Sequence, residues 1–145
     1  MNEKISVEKR SQIMKSVKSK DTKIEIAVRK KFYNSGIRYR KNNKSIMGTP
    51  DISIKKYKIA VFINGCFWHG HDNCKKATIP KTRTEYWTKK ISDNKARDKK
   101  TIQYLEGEGW HVYTLWECEL KRNFDKYVEE VLEDVNLLIQ YNKSL

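Results

Sequence analysis

The sequence predicts an α/β sandwich in which helices flank a mixed β-sheet. The run "IAVFI" (59–63) is continuously apolar and β-prone, as expected of a central strand covered on both faces. A long apolar stripe at helical spacing follows it along the chain. The predicted elements occur in the order α-β-β-β-α-β-α, and a length of 145 residues suits one domain with one core.

The first helix is predicted from its start and stop signals. Thr22 and Glu25 have the spacing of a capping box, and Gly36 supplies the stop. Between them, apolar residues recur at the spacing of one helix face: Ile24, Val28 and Phe32.

Two strands are predicted between this helix and the central strand. The segment "IRYRKN" (37–42) alternates as a strand does, and "GTP" (48–50) is a turn. Asp51 then opens the second strand, with Ile52 and Ile54 on one face.

The second half of the chain predicts two helices around a further strand. A long helix extends from about Thr84 to Glu106, and its stripe comprises Trp87, Ile91, Asp98, Ile102 and Leu105. Asp98 is out of place on that stripe, so it is either a partnered core carboxylate or a functional residue. The strand "WHVYTLW" (110–116) comes next, and a closing helix is marked by Val128, Val131, Val135 and Leu138.

The charge of the chain favours a polyanionic partner. Lysine and arginine total 31 against 18 acidic residues, a formal charge of +13, and 16 residues are aromatic (4 Trp, 8 Tyr, 4 Phe). Such an excess favours nucleic acid through phosphate contacts, although a merely soluble surface is the alternative. Residues 1–20 are polar and basic, and we expect them to form an arm that contacts DNA beside a single domain over 21–145. No transmembrane-length apolar run or signal peptide is evident, so we expect a cytoplasmic protein.

The segment "GCFWHGHDNC" (65–74) and one distant cysteine predict a zinc site. Thiolate and imidazole are the usual zinc ligands, and structural sites use four of them. Cys66, His71 and Cys74 lie within nine residues, and Cys118 is the remaining cysteine. The alternative is that the cysteines are small buried apolar residues, which suits Cys118 better than the two in the loop. We expect a structural zinc that staples the loop to a distant strand.

Asp51 and His69 are candidates for nuclease chemistry. Asp51 stands at the start of a strand, and His69 lies just beyond the end of the strand predicted beside it. Carboxylate and carbonyl oxygens bind Mg²⁺, and a histidine can move protons. The alternatives have equal weight at this point: Asp51 completes a Pro-Asp turn, and His69 competes with His71 for zinc.

Several motifs together resemble the very short patch repair (Vsr) DNA mismatch endonucleases. They are "RSQIMKSVKSKDTKIE", "GTPDI", "FINGCFWHGHDNC", "TRTEYW", "RD" at 97–98 and "GWHVYTLWEC", and they extend from about Arg10 to Leu120. The resemblance implies a restriction-endonuclease-like fold that nicks duplex DNA on the 5′ side of the thymine in a T·G mismatch. Such mismatches arise when 5-methylcytosine deaminates.

The resemblance also implies residue roles. Asp51 and the backbone carbonyl of Ile63 match the family's Mg²⁺ ligands, and His69 matches its catalytic histidine. The family's zinc ligands fall on Cys66, His71, Cys74 and Cys118. Glu25 and Asp98 match carboxylates near the active site, although a capping box remains an alternative for Glu25.

The chain departs from the family at one site position. Asn64 stands where relatives have a second active-site histidine, and asparagine can bind phosphate or water but cannot shuttle a proton. The third strand, "VFIN", also lacks the Glu-x-Lys of the wider nuclease superfamily, as Vsr-like enzymes do.

Four residues match the family's mismatch probes. The resemblance implies that Phe67, Trp68 and Trp87 enter the base stack from the major-groove side and Met14 from the minor-groove side. Apolar wedges of this kind unstack a base step at a cost of a few kcal/mol. Core packing is the alternative for Trp87, and helix packing is the alternative for Met14.

The resemblance further implies partners and a cellular setting. A DNA cytosine methyltransferase and a repair polymerase would act alongside the enzyme, associated with a bacterial nucleoid. We expect a monomer, because one nick needs one active site. Two other functions remain open from the sequence: a zinc-stabilised DNA-binding module with weak or no cleavage, and a restriction-type nuclease on matched DNA.

Overall fold

A computed structural model describes residues 22–144, and these form four strands, three α-helices and two short 3₁₀ helices. The elements are α1 (Lys23–Asn34), β1 (Arg40–Lys41), β2 (Ile52–Ile54), β3 (Ile59–Asn64), α2 (Thr84–Gly107), β4 (His111–Trp116) and α3 (Glu117–Lys143), with 3₁₀ helices at Lys55–Tyr57 and Lys75–Ala77. The strands form one sheet in the order β1-β2-β3-β4, antiparallel except for the parallel pair β3 and β4. The predicted α/β class with a mixed sheet is confirmed. The predicted arm over residues 1–20, with Met14, lies outside the described residues.

The start of α1 is the capping box that its sequence predicts. The Thr22 hydroxyl accepts from the Glu25 N–H, and the Glu25 carboxylate accepts from the Thr22 N–H, both at 3.2 Å. The helix ends at Asn34, and Gly36 adopts a φ of +87° in the left-handed region that glycine tolerates.

The first strand is shorter than predicted. Alternation over 37–42 suggested six residues, but two are paired, Arg40 with Ser53 and Lys41 with Ile52. Ile37 is instead buried in the core, and its N–H bonds to the Phe32 carbonyl at the end of α1. Asn42, at a φ of +49°, turns the chain out of the strand.

The central strand β3 separates two packed layers. Ile59, Val61 and Ile63 join the main core with residues of α1 and α3. Asn64 points to the other side, where it lines a cavity with Asp98 of α2. This alternation is the period-two pattern of a strand covered on both faces.

The last two helices match their predicted positions, and the final helix has an additional segment at its start. Helix α2 agrees with the predicted range to within a residue at its C-terminal end. Helix α3 begins directly after β4, and its one non-helical residue, Asn123 (φ −153°, ψ 80°), separates a short first segment that carries Cys118. Among residues 22–144 no helix has both the length and the apolar character needed to cross a membrane.

Candidate active site and metal centre

The parallel pairing of β3 and β4 brings distant cysteines together. Asn64 and Trp116 are paired at the C-terminal ends of the two strands. Cys66 and Cys118 each follow two residues after that pair, so the loop after β3 and the start of α3 meet at one edge of the sheet.

The four predicted zinc ligands converge at this edge. The ligand atoms of Cys66, His71, Cys74 and Cys118 all lie within 4.8 Å of one another. The Nδ1 atom of His71 is 3.6 Å from the Cys66 sulfur and 3.5 Å from the Cys118 sulfur. Tetrahedral zinc with its usual bond lengths separates a sulfur and a nitrogen ligand by roughly 3.5 Å. The cluster therefore fits a metal ion such as zinc.

The surroundings of the cluster favour a bound cation. Cys66 is fully buried, and burial, followed by contact with the neighbouring thiols, raises the pKa of its thiol to about 12. Three thiolates in such a place need a cation to offset their charge. Trp116 stacks on His71, with ring centroids 4.0 Å apart and planes inclined by 7°, which fixes the orientation of the imidazole.

Asp51 lies directly before β2, and its carboxylate reaches the end of β3. Its Oδ2 atom accepts a hydrogen bond from the N–H of Ile63 at 2.6 Å. Burial raises the pKa of Asp51 from 3.8 to about 6; the Ile63 N–H opposes this rise, and the nearby charge of Glu25 adds to it. A carboxyl group held in this way is poised to gain stability from a cation.

Glu25 and Arg29 face Asp51 from helix α1. Both are 5% exposed, one helical turn apart, and the charge of Arg29 lowers the pKa of Asp51. Glu25 thus caps the helix and also acts on the Asp51 carboxylate through its charge. Sequence reasoning missed Arg29, although a charged residue one turn after Glu25, next to the buried Val28, was a usable signal.

His69 and Asp98 form a close pair. The His69 Nδ1 and Asp98 Oδ2 atoms are 2.5 Å apart, and both side chains are partly exposed. A carboxylate accepts hydrogen bonds, so Nδ1 of His69 carries the proton in this contact. The odd position of Asp98 on the apolar stripe of α2 is explained by this contact.

Two cavities meet at His69 and Asn64. A cleft of about 1180 Å³ is lined by Glu25, Ile63, Asn64, Phe67 and His69. A second cavity of about 440 Å³ lies on the Asp98 side and shares Asn64 and His69 with the cleft. Asn64 is 8% exposed, so it is positioned between them rather than on the surface.

The rim of the cleft is basic. Its lining includes six basic residues and two glutamates: Lys23, Lys76, Lys81, Lys90, Arg97 and Lys121, and Glu25 and Glu117. A groove of this charge with aromatic side chains suits a nucleic-acid backbone.

The three predicted aromatic probes form one cluster. Ring centroids are 5.2 Å apart for Phe67 and Trp68, 5.5 Å for Phe67 and Trp87, and 5.7 Å for Trp68 and Trp87. Trp87 is 5% exposed and forms the base, whereas Phe67 and Trp68 are partly exposed. Sequence reasoning missed Tyr86, which is 46% exposed and lies 4.9 Å from Trp87; the adjacent pair "YW" was its signal.

The loop of residues 65–74 packs closely on α2. Gly70 has a φ of +57°, and a Cβ atom there would lie 2.6 Å from Ile91 and 2.7 Å from Lys95. Lys95 also pairs with Asp72 at 2.7 Å. Gly70 was not singled out in the sequence, although its place between His69 and His71 was the available signal.

Comparison with known proteins agrees with this geometry. The profile of the DNA mismatch endonuclease Vsr family matches residues 2–76. The chain is 49% identical over 121 residues to the type II nicking enzyme V.NmeAIP of Neisseria meningitidis serogroup A, covering 83% of this chain and 86% of the relative. It is 37% identical over 125 residues to the DNA mismatch endonuclease Vsr of Escherichia coli K12, covering 86% and 79%. The type II nicking enzyme V.HpaIIP of Haemophilus parainfluenzae is 44% identical over 131 residues, covering 89% and 92%.

The structure combines a mixed sheet, a partly buried aspartate just before β2, a histidine just beyond β3 that pairs with a carboxylate of α2, and a basic cleft beside them. This combination is that of a nuclease of the restriction-endonuclease-like class. The relatives show more narrowly that this protein is a DNA endonuclease. The chain belongs to the Vsr family of DNA mismatch endonucleases.

Proposed function

We propose that this endonuclease nicks duplex DNA on the 5′ side of the thymine in a T·G mismatch left by deamination of 5-methylcytosine, and so starts very short patch repair. The observation that carries the proposal is the convergence of three features on one cleft. His69 and the partly exposed rings of Phe67 and Trp68 line the cleft. Asp98 is paired with His69, and the Asp51 carboxylate accepts from the N–H of Ile63, another residue of the lining.

Asp51 and the backbone carbonyl of Ile63 would hold Mg²⁺. A bound Mg²⁺ ion polarises the phosphate and lowers the pKa of an attacking water. The donor set fits, because Asp51 and Glu25 are carboxylates whose mutual repulsion contributes to the raised pKa of Asp51. Asn64 then binds a phosphate oxygen or a water through its side-chain amide.

His69 is the proposed general base. Its free Nε2 accepts a proton from the attacking water while the water oxygen adds to phosphorus and the bond to the leaving oxygen breaks. Asp98 holds the imidazole in the required tautomer and stabilises the imidazolium that forms, as a carboxylate partner does in other histidine bases.

Phe67 and Trp68 are the proposed mismatch probes, with Trp87 beneath them. A wobble pair costs less to unstack than a matched pair, so insertion of these rings favours the mismatch. The metal centre is proposed to bind structural zinc and to give the probes a rigid mount. The arm over residues 1–20, including Met14, is proposed to contact the opposite groove, beside a single endonuclease domain over 21–145.

The cellular setting is proposed on the same basis. A DNA cytosine methyltransferase creates the methylated base whose deamination gives the substrate, and a repair polymerase refills the strand after the nick. One active site suffices for a single nick, so we propose that the enzyme acts as a monomer on bacterial DNA.

The test is nicking of an end-labelled duplex that carries one T·G mismatch, with Mg²⁺, beside the fully matched duplex. We expect a cut in the thymine strand of the mismatched duplex alone, and loss of that cut in Asp51→Ala and His69→Ala. Cleavage of the matched duplex would favour a restriction-type nuclease instead. Binding without a cut in every flanking context would favour a DNA-binding module with little or no cleavage and make Asn64 the first position to restore.

A further inference from the structure

Helix α2 holds the loop of residues 65–74 at two points one helical turn apart. The side-chain amide of Asn94 donates a hydrogen bond to the carbonyl oxygen of Trp68 at 2.9 Å. Asp98, four residues further along the helix, accepts the Nδ1 proton of His69. Because residues four apart share one face of a helix, a single face holds two consecutive loop residues, one by its backbone and the next by its ring.

The Asn94 side chain is fixed at both ends. It is 7% exposed, and its Oδ1 atom accepts a hydrogen bond from the guanidinium of Arg97 at 2.9 Å. A guanidinium only donates, so the amide oxygen must face Arg97 and the amide NH₂ must face Trp68. A buried amide with both ends satisfied in this way has one defined orientation.

The peptide bond that Asn94 holds joins two proposed functions. On its N-terminal side, Trp68 belongs to the aromatic cluster proposed to enter the base stack; on its C-terminal side, His69 is the proposed base. A peptide unit is planar and stiff, so a displacement of the Trp68 carbonyl also moves the backbone of His69. Small misplacements of a group that transfers a proton cost much of the rate.

We propose that Asn94 is a positioning residue that ties engagement of the mismatch by Trp68 to the alignment of His69. This inference rests on the proposed function. The Asn94 hydrogen bond keeps the Trp68–His69 peptide in place when an inserted base step pushes on the indole, so His69 retains its contact with Asp98. Loss of the bond slows the chemical step and leaves duplex affinity intact.

Asn94→Asp is the sharpest variant, because aspartate has the same shape and still accepts from Arg97 but cannot donate to Trp68. We expect single-turnover nicking of a T·G duplex at saturating enzyme to fall about 10- to 100-fold, the loss typical of an orienting partner. Asn94 lines the basic cleft, and saturation removes any effect of the added charge on binding. Ser92→Asp is the matched control, since it adds the same charge at an exposed position of the same helix and should nick as the parent does. If Asn94→Asp fails to fold, Asn94→Ala removes the same bond without adding a buried charge.

A second readout follows the ring of His69 directly. The chain has three histidines, so their imidazole resonances are separable by NMR, and His111 on β4 is an internal reference. We expect Asn94→Asp to shift the His69 signals and to leave those of His111 in place. Parent-like nicking with unmoved His69 signals, or a loss of rate explained wholly by weaker DNA binding, would overturn the inference. A parent protein that nicks no mismatched duplex would refute the proposed function instead, and the ring spectra would still decide whether Asn94 holds His69.

Discussion

The metal centre and the carboxylate site lie at the same edge of the sheet, yet with an ion bound at the metal centre the two would affect stability in opposite ways. The metal centre gathers four ligand atoms within 4.8 Å, and a bound ion would convert that crowding into stability. The carboxylate site places Asp51 beside Glu25 in a partly buried position, where the charged form of Asp51 is disfavoured. The metal centre would stabilise the fold, and the carboxylate site depends on that stability.

This difference indicates how the protein tolerates the energetic cost of the ionised Asp51 carboxylate. Ionising a buried carboxyl group near a second one costs stability, and such groups cluster where function needs them. The adjacent loop is fixed by its cysteines, by Asp98 and by close packing at Gly70. The fixed loop therefore holds His69 near a carboxylate whose charged form burial disfavours.

Removing the charge of Asp51 should have the largest effect, because it lowers activity while it raises stability. We expect Asp51→Asn to lower nicking by roughly 10⁴-fold, the size seen when a central member of a catalytic set is lost. Without added Mg²⁺ the same variant should be more stable than the parent at pH 8. Paired nicking assays and thermal melts measure both effects.

The sign of the stability effect follows from the pKa of Asp51, which is about 6 when folded against an ordinary value of 3.8. The folded state binds the Asp51 proton more tightly than the unfolded state does. Protonation of Asp51 therefore stabilises the fold fully below pH 3.8, and this stabilisation is lost as the pH rises through about 6. The total is about 3 kcal/mol, from roughly 1.4 kcal/mol for each pKa unit. A parent and variant with the same pH dependence of stability would contradict the assignment of this pKa to burial of Asp51.

Removing one ligand of the metal centre should lower stability, whereas removing the charge of Asp51 should raise it. We expect Cys74→Ser to lower the zinc content and to cost several kcal/mol, because binding of a structural metal is coupled to folding. Elemental analysis and the free energy of unfolding measure the two effects. A Cys74→Ser protein with full zinc and unchanged stability would remove Cys74 from the ligand set.

Gly70 tests whether packing, apart from metal, fixes the loop. A methyl group at Gly70 would meet Ile91 and Lys95, and φ is positive there, so Gly70→Ala should cost about 2–4 kcal/mol. Gly36→Ala is the control, because its φ is also positive but nothing lies within 4 Å of the added atom. That variant should lose about 1 kcal/mol, which is the cost of a positive φ for alanine without any steric contact. Equal losses at the two glycines would mean that contact with α2 does not restrain the loop.

The two regions also differ in how far their sequence reveals them. Cysteine and histidine spacing in one loop predicts the metal centre, because these residues are rare and chemically specific. The capping box, β3 and α2 were likewise predictable from local patterns. Asp51 was ambiguous, since a turn explains it equally well until the pairing of β2 with β3 sets its carboxylate on the Ile63 N–H.

Contacts between separate elements escaped prediction altogether. Arg29 reaches the site because α1 packs near the end of β3, and Asn94 reaches it because α2 crosses the loop. The length of β1 was overestimated because alternation does not tell a paired strand from an extended segment that enters the core. These features depend on register and packing, which no single segment encodes.

Trp68→Ala has the smallest expected effect. Trp68 lies in the loop that carries three of the candidate metal ligands, but it belongs to neither the metal centre nor the carboxylate site. Loss of a stacked ring costs roughly 1–3 kcal/mol, and we expect that loss on the T·G duplex with a smaller one on the matched duplex. Competition binding with both duplexes measures the difference, and Tyr104→Ala, an exposed aromatic of α2 that does not line the cleft, is the control. Zinc content should stay constant, since the Trp68 ring contacts Phe67 and Trp87 rather than the ligands. An equal loss on matched and mismatched DNA would make Trp68 a general DNA contact, and mismatch selection would then have to come from elsewhere in the chain.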